Sequence, residues 1–376
     1  MIAGKSPYVA EREPACFCPR TASSTVPQPA ANQMRVSVIV PCRNEKSHIR
    51  DFLDSLLAQD LDPDWKLEIL VADGMSDDGT RDVLRQYSAE RPAVRIIDNP
   101  GRIVSTGLNA AIRASSGDVI VRMDAHTVYR RDYIRECVRA LHESGADNVG
   151  GPWVAEGRGR VGKAIAAAFR SPFCTGGGKA HDPCYEGEVD TVYLGCWRRS
   201  VFDRAGLFDP ALVRNQDDEF NYRLLRMGGR VWQSPRIQSV YTPRSSMAAL
   251  FRQYVQYGFW KVVVIRKHRA LAAWRHAVPP LFVASLLLAV VLAPTAAALG
   301  AARVAQWIGA ALGLEAVAYL LACAAASLPL ASSLDAGTLL ILPAVMAVYH
   351  VAYGLGFLAG LLRPAMMSGL FTGLTR

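Results

Sequence analysis

Apolar residues along this chain first recur with strand and helix periods, then give way to long unbroken runs. Val36–Val40 is a short β-branched run stopped by Pro41, which predicts a first, buried parallel strand. Asn44 is placed to cap a helix in which Ile49, Phe52, Leu53, Leu56 and Leu57 have helical spacing. Leu67–Val71 predicts the next strand, ending at Asp73, and Thr80–Tyr87 a helix. Val94–Ile97, Ile103–Ala114 and Val119–Met123 continue as strand, helix and strand. Tyr129–Ser144 predicts a helix, Val149–Ala155 a strand, and the glycine-rich Gly157–Lys179 a loop. Thr191–Leu194 reads as a strand and Arg199–Ala205 as a short helix. Asp217–Met227 is a further helix closed by Gly228 and Gly229, with Val231–Pro235 and Ile237–Tyr241 extended. This alternation over residues 34–245 predicts an α/β domain with a doubly wound, mostly parallel sheet. Ligands of such sheets bind beyond the carboxyl ends of strands, where Asp73 and Asp124 both sit. No internal repeat is visible.

The pattern changes after residue 245. Over residues 246–277, Phe251, Tyr254, Tyr257, Phe259, Trp260 and Trp274 interleave with Arg and Lys, as expected of an amphipathic segment in a lipid headgroup zone. Residues 278–363 follow, with apolar blocks near 278–300, 307–330 and 338–362, each long enough to span a bilayer as a helix. They are rich in Ala and Gly, as closely packed membrane helices are. Glu315 interrupts the second block, either as a functional carboxylate or facing a packed interior or the interface.

Charge sharpens this division. The formal net charge of +9 is local, because no Asp or Glu occurs between Phe220 and Leu314. Arg223, Arg226, Arg230, Arg236, Arg244, Arg252, Lys261, Arg266, Lys267, Arg269 and Arg275 fall in that stretch. Such a run leading into apolar blocks fits a juxtamembrane surface facing anionic lipid. No nucleic-acid module accompanies it, so nucleic acid is not expected as a partner. The eight cysteines suggest no disulfide framework and point to a reduced, cytosolic face. Cys174-x6-His181-x2-Cys184 offers zinc-ligating side chains, but its spacing fits no standard site and a mobile loop is the simpler reading. Residues 1–33, with five prolines and no apolar core, read as a disordered leader without a signal sequence.

The chemistry concentrates in acidic stations. Asp73 ends a strand and precedes Gly74-Met-Ser-Asp-Asp-Gly-Thr80, where a carboxylate can accept hydrogen bonds from a base or ribose. Asp78, in the same segment, reads as a turn or helix-cap residue. The run Val119-Ile-Val-Arg-Met-Asp124-Ala-His126 ends an apolar strand in a carboxylate and an imidazole on one side of an extended segment. That donor pair suits Mn²⁺ well and Mg²⁺ less well. Asn215-Gln-Asp217-Asp218-Glu219 puts three acids at a helix start, where they favour the helix dipole and where a general base stays ionised. Gln256-Tyr-Gly-Phe259-Trp260 offers an amide and an aromatic floor, or else a membrane-interface aromatic belt.

From Val36 to Lys261 these segments resemble the family 2 inverting glycosyltransferases. Pro41-x-x-Asn44-Glu45 resembles their opening donor loop, and Val71–Thr80 their first Asp motif, with Gly74 where many carry a second Asp. Asp124-Ala-His126 stands where most carry Asp-x-Asp. Gly206-Leu-Phe208-Asp209 resembles the acceptor-side segment, and Gln216-Asp217 stands where Glu-Asp is usual. Gln256-x-x-Phe259-Trp260 resembles the Gln-x-x-Arg-Trp motif of processive synthases without its Arg. The wording Asp-Gly-Met-Ser, Asp-Ala-His and Asn-Gln-Asp-Asp-Glu, with a hydrophobic tail, is most similar to succinoglycan-type exopolysaccharide glucosyltransferases.

The resemblance implies a GT-A fold, a UDP-sugar donor carrying glucose, and Mg²⁺ or Mn²⁺ on the diphosphate. Pro41, Asn44, Glu45, Asp73 and Asp124 would bind the donor, and Asp124 with His126 the metal. Asp217 would be the base, with Asp218 second. Gly206, Phe208, Asp209, Gln256 and Trp260 would face the acceptor, a polyprenyl-diphosphate-linked saccharide. The implied setting is exopolysaccharide synthesis at the inner membrane, beside other polysaccharide-assembly enzymes, by a multi-pass protein with a cytoplasmic catalytic domain. A processive polysaccharide synthase and a non-catalytic transferase-like scaffold are the competing readings.

Overall fold

The computed structural model describes residues 33–271 and 273–362, which divide into two compact units. The first holds the described residues up to Val154 together with Lys179–Thr242; the second holds Ala155–Gly178 and the described residues from Pro243. The leader, apart from residue 33, lies outside the described residues, as do Cys16, Cys18 and the end of the chain from Arg363.

In the first unit the strands are β1 (Arg35–Cys42), β2 (Lys66–Asp73), β3 (Val94–Asp98), β4 (Val119–Arg122), β5 (Thr127–Tyr129) and β6 (Asn148–Gly151). After β7 (Val154–Ala155), where the chain leaves the unit, come β8 (Gly187–Glu188), β9 (Tyr193–Arg198), β10 (Val231–Gln233) and β11 (Ser239–Tyr241). The main sheet has the order β3-β2-β1-β4-β9-β6-β10-β8. β3, β2, β1 and β4 run parallel, and β9 is antiparallel to both β4 and β6, so the mostly parallel sheet is mixed. A small second sheet pairs β5 antiparallel to β11.

Strand alternation builds two cores. Val36, Val38 and Val40 of β1, with Ile69 and Val71 of β2 and Val121 of β4, face one side. There they meet Phe52 and Leu53 of α1 (Ile49–Leu57), Leu84 of α2 (Thr80–Glu90) and Leu141 of α4 (Tyr133–Ser144). Ile39, Leu70 and Ile120 face the other side, against α3 (Val104–Ala114) and, further along the chain, α7 (Ser200–Ala205) and α8 (Gln216–Arg226). Each fully buried Val, Leu or Ile contributes about 1.5–3 kcal/mol relative to exposure, so the period-2 pattern fixes the register strongly.

Several local expectations are corrected. Asn44 does not cap α1; that helix starts after His48, where the N–H groups of His48 and Ile49 donate to the Glu45 carbonyl. Tyr129 closes β5 instead of opening a helix, because it is drawn into pairing with β11, and α4 starts later, at Tyr133. The expected strand at Val149–Ala155 is broken between β6 and β7, on either side of Pro152. β9 begins later than expected, and left-handed backbone at Leu194 marks its irregular start. The expected loop at Gly157–Lys179 contains α5 (Gly159–Arg170) and α6 (Pro172–Thr175), both in the second unit. The buried run Ala164–Phe169 gives α5 an apolar face, a helical signal that glycine content masked.

The second unit continues with α9 (Met247–His268), α10 (Val278–Ala298), α11 (Ala302–Ser327) and α12 (Ala336–Leu362). Three helical stretches, Trp274–Ala298, Ala302–Ser333 and Ala336–Leu362, are long and apolar enough to cross a membrane. The segment expected at the headgroup level is mostly the single helix α9, which packs along α12. Backbones approach closely there: a Cβ at Gly258 would overlap the carbonyl oxygen of Tyr353, and one at Gly356 that of Val255. The Tyr349 hydroxyl of α12 donates to the Ile165 carbonyl of α5 at 3.2 Å.

Gly258→Ala should therefore lower the thermal midpoint of the detergent-solubilised protein, by the equivalent of about 1–3 kcal/mol of overpacking. Gly309→Ala on α11, where an added Cβ meets nothing within 4 Å, should not. Equal midpoints for the two variants would contradict the close α9–α12 approach.

Candidate active site

Register brings the ends of the parallel strands to one edge. Cys42 lies opposite Asp73, Asp73 opposite Asp98, and Ile39 opposite Arg122. The loops after β1, β2 and β4 therefore leave the sheet together.

The first two loops are tied to each other. Asp73 is fully buried, and its carboxylate accepts the Ser76 hydroxyl at 2.5 Å and the Ser76 N–H at 3.2 Å. Arg81 approaches the same carboxylate at 3.1 Å and reaches Asp98 at 2.6 Å. A buried carboxylate is costly unless paired and hydrogen-bonded, and here both conditions are met. Asn44 adopts left-handed backbone, φ +55°, and its N–H donates to the Ser76 hydroxyl at 2.8 Å. Its side-chain amide donates to Asp77 at 2.9 Å and accepts the Asp77 N–H at 3.1 Å. The Glu45 N–H donates to the Thr80 hydroxyl at 2.8 Å, and the Lys46 N–H to Asp78 at 3.1 Å. Asp78 accepts the Thr80 N–H at 2.9 Å, the turn role its position suggested. Burial pushes its carboxyl up, but the Thr80 hydroxyl and N–H outweigh that and hold it below the usual range. Pro41, half-buried in β1 opposite Ala72, directs the chain into this loop.

The turn after β4 is built around an ion pair. The buried Arg122 guanidinium donates to both oxygens of Asp124, Nε at 3.0 Å and Nη2 at 3.1 Å. The Asp124 N–H donates to the Tyr129 hydroxyl at 2.6 Å. Arg122 also lies within electrostatic reach of Asp217. Burial works against its charge, but Asp124 and Asp217 more than compensate and raise its pKa. His126, partly exposed, sets Nδ1 3.3 Å from Glu45 Oε1. Its ring meets Tyr241 edge-on, with centroids 6.3 Å apart. Beside this turn, Tyr193 bonds Thr127 at 2.8 Å and stacks on Trp153, which stacks in turn on His181.

The third station opens α8. Asn215 takes left-handed backbone, φ +59°, and Asp217 Oδ1 accepts the Asp218 N–H at 2.9 Å. Burial raises the Asp217 carboxyl, the neighbouring Asp218 charge adds to that, and Arg122 offsets only part of it. The result is a carboxyl above the usual aspartate range, closer to the working pH a general base needs. Glu219, fully buried, is held by Arg223 at 3.1 Å. Arg223 also donates to the carbonyls of Ala205 and Leu207, which brace the turn at Gly206. Gly206 has φ +75° and ψ −178°, a conformation open in practice to glycine alone. Phe208 is 2% exposed among Trp197, Phe202 and Phe220, and its backbone is clamped by Asn109. Asp209, partly exposed, accepts the Ala211 N–H at 2.9 Å.

The sequence-selected residues thus fall into three groups. Asn44, Glu45, Asp73, Asp124 and His126 lie in loops joined by hydrogen bonds, and Asp217 meets Asp124 through Arg122. Gly206, Phe208 and Asp209 lie on one segment braced by Arg223. Gln256 and Trp260 are buried on α9, in the second unit. Of the zinc-ligand set, Cys174 belongs to the second unit and His181 and Cys184 to the first. Cys184 is disulfide-bonded, against the expectation of reduced thiols throughout, and a disulfide sulfur is no thiolate ligand. Among the described residues no three His, Cys, Asp or Glu side chains are grouped to hold a metal. Asp124 and His126 therefore form no cage. They suit a cation whose remaining ligands are phosphate oxygens and water, and each Asp124 oxygen keeps a lone pair beyond its bond to Arg122.

Sequence reasoning missed Arg122, Tyr129, Tyr193 and the Glu219–Arg223 pair. Arg122 had a signal: a cation inside an apolar strand demands a buried partner. The Glu219–Arg223 pair also had one, its i,i+4 spacing on a helix, whereas Tyr129 needs the turn that brings it back to Asp124 and Tyr193 needs Thr127, far along the chain.

Comparison with known proteins agrees with this geometry. Glycosyl transferase family 2 matches residues 37–206. The chain is 33% identical over 244 residues to the succinoglycan biosynthesis protein ExoA of Rhizobium meliloti (strain 1021), covering 64% of this chain and 73% of that protein. It is 27% identical over 241 residues to a dolichyl N-acetyl-alpha-D-glucosaminyl phosphate 3-beta-D-2,3-diacetamido-2,3-dideoxy-beta-D-glucuronosyltransferase of Methanococcus voltae, covering 62% and 74%. In fold it is similar to a mannosyltransferase of Pyrobaculum calidifontis solved with GDP-Man and Mn²⁺, with TM-score 0.55, 23% identity and coverage of 87% and 88%. A mixed GT-A-type sheet, followed by helices apolar enough to cross a membrane, and the sequence relationship lead to one assignment: the chain belongs to glycosyl transferase family 2 and is a glycosyltransferase.

Proposed function

We propose that this glycosyltransferase is an inverting enzyme that moves glucose from UDP-glucose to a polyprenyl-diphosphate-linked saccharide during exopolysaccharide assembly. The observation that carries the reading is the Arg122 guanidinium between Asp124 and Asp217. It couples a donor-side carboxylate to a base-side carboxylate through one buried cation. The similarity to ExoA, a succinoglycan biosynthesis protein, supports the exopolysaccharide setting. The three apolar helices support an acceptor met at a membrane, and the basic stretch before them supports a cytoplasmic catalytic unit at the inner membrane.

In this reading the loops of Pro41, Asn44, Glu45 and Asp73 hold the nucleoside, Asp73 acting through the segment it braces. Asp124 and His126 would hold Mn²⁺ or Mg²⁺ for the donor diphosphate. When bound, such an ion neutralises charge on the departing UDP. Asp217 takes the proton of the acceptor hydroxyl as its oxygen bonds the anomeric carbon from the face opposite the diphosphate. The carbon–oxygen bond to UDP breaks and the configuration inverts. Asp218 keeps the Asp217 carboxyl basic, and the segment Gly206–Asp209 faces the acceptor through Asp209, with Phe208 as its buried anchor.

Membranes containing the protein, given a panel of UDP-sugars and extracted lipid-linked acceptors with and without Mn²⁺ or Mg²⁺, should add a single hexose. Polymeric product, or no transfer from any UDP-sugar, would overturn the reading. Asp217→Asn should retain UDP affinity while turnover falls roughly 10²–10⁴-fold, the usual worth of a positioned base. Full activity in that variant would exclude Asp217 as the base. Asp218→Asn removes a negative neighbour, so Asp217 ionises more easily. The acid limb of the pH–rate profile should then shift to lower pH. A limb that stays in place or moves upward would contradict the assigned pairing.

A further inference from the structure

We propose that Glu45 is a positioning residue for His126: its carboxylate fixes the imidazole so that Nε2 is the atom offered to the metal. This rests on the reading above that Asp124 and His126 hold the ion. Three observations support it.

The first is the contact itself. Glu45 Oε1 lies 3.3 Å from His126 Nδ1, with the Glu45 side chain 6% exposed and the His126 side chain 45% exposed. An ionised carboxylate can only accept a hydrogen bond, so the proton of a neutral imidazole in this contact sits on Nδ1. Nε2, on the opposite edge of the ring, then carries the lone pair. Histidines that bind metals commonly donate their other N–H to a carboxylate in this way.

The second is the rigidity of the support. The Glu45 N–H is held by the Thr80 hydroxyl, and its carbonyl accepts from His48 and Ile49 at 2.8 Å each. The preceding Asn44 is locked to the Asp73 loop on both its backbone and its side chain. Edge-on packing with Tyr241 flanks the imidazole ring. The carboxylate therefore arrives from a fixed backbone, and the ring has a neighbour opposing free rotation.

The third is charge. A neutral imidazole brings no negative charge to a cation site, and the Glu45 carboxylate behind the ring supplies one. The Glu45–His126 pair thereby offers a single negative charge delivered through a nitrogen donor.

The test reads metal binding without turnover. Full-length protein in detergent with saturating UDP is titrated with Mn²⁺, and free Mn²⁺ is followed by electron paramagnetic resonance. Glu45→Ala should weaken Mn²⁺ about 10–100-fold, the range for lost outer-shell partners. The isosteric Glu45→Gln should weaken it in the same direction, which covers the case in which Glu45→Ala fails to fold. In a His126→Asp background the Glu45→Ala penalty should vanish, because the carboxylate no longer acts through an imidazole. Spin-echo modulation from an imidazole nitrogen should be present on bound Mn²⁺ in the parent protein and absent in His126→Asp. An equal Glu45→Ala penalty in both backgrounds, or none in the parent, overturns the proposal. Asp124→Asn separates the two levels. If it abolishes Mn²⁺ binding while Glu45→Ala has no effect, the inference about Glu45 alone falls. If it leaves Mn²⁺ affinity intact, the metal is not held here and the underlying reading falls with it.

Discussion

A guanidinium buried beneath two carboxylates sets the terms for the catalytic unit. Arg122, at the end of β4, grips both oxygens of Asp124 at the start of the following turn, and its charge also reaches Asp217 on α8. Removing one member of such a pair leaves an uncompensated buried charge, a loss of about 3–5 kcal/mol, so the three side chains stand or fall together. That coupling joins elements far apart in the chain: a central parallel strand and a helix that follows the antiparallel half of the sheet. It also leaves the two acids in different settings. Asp124 accepts two hydrogen bonds from the guanidinium. Asp217, which feels Arg122 without an observed bond to it and has Asp218 beside it, keeps a raised proton affinity.

The same economy governs the loops on the donor side. Asp73 is too buried to be a simple surface contact; its oxygens are taken up by Ser76 and Arg81, and Ser76 passes the constraint to Asn44. The opening loop and the Asp73 loop behave as one body because backbone groups of the first bond side chains of the second, Asn44 is linked to Asp77, and the Gly74 N–H donates to the Cys42 carbonyl. Glu45 is carried on that body. The orientation of His126 is thus tied, through Glu45, to the ordering of the segment that includes Asp73.

Much of this fold can be read from the sequence. The β-branched run at Val36–Val40 and the helical spacing from Ile49 to Leu57 name their elements because burial on one face leaves few alternatives. The same holds for the three apolar blocks, which are long and apolar enough to cross a membrane. The parts that resist reading are those in which tertiary partners override local pattern. Tyr129 looks like the start of a helix until β11, more than a hundred residues later, supplies a strand to pair with. The Gly157–Lys179 segment looks like a loop because glycine masks the apolar face of α5. In the site, Asp73, Asp124 and Asp217 are legible as acids at element ends, but Gly206 and Phe208 are legible only as words in a motif. Their physical roles, a left-handed turn braced by Arg223 and a ring in an aromatic cluster, appear only once α8 and α7 are side by side.

The second unit obeys a different constraint. Helices in lipid gain little from burying apolar surface against one another, so close backbone approach and hydrogen bonds must hold them. α9 and α12 use both. Gly258 and Gly356 let the two backbones approach, and the Arg266 guanidinium donates to the Leu361 carbonyl at 2.8 Å. Between α10 and α11 the glycines are not tight; an added Cβ at Gly309 or Gly313 would meet nothing within 4 Å. Their link includes one polar contact, the Ser285 hydroxyl donating to Glu315 at 2.5 Å. A carboxylate in an apolar helix needs such a partner, which accounts for Glu315 without assigning it chemistry. The acidic residue that interrupts the second apolar block thus links two helices by a hydrogen bond.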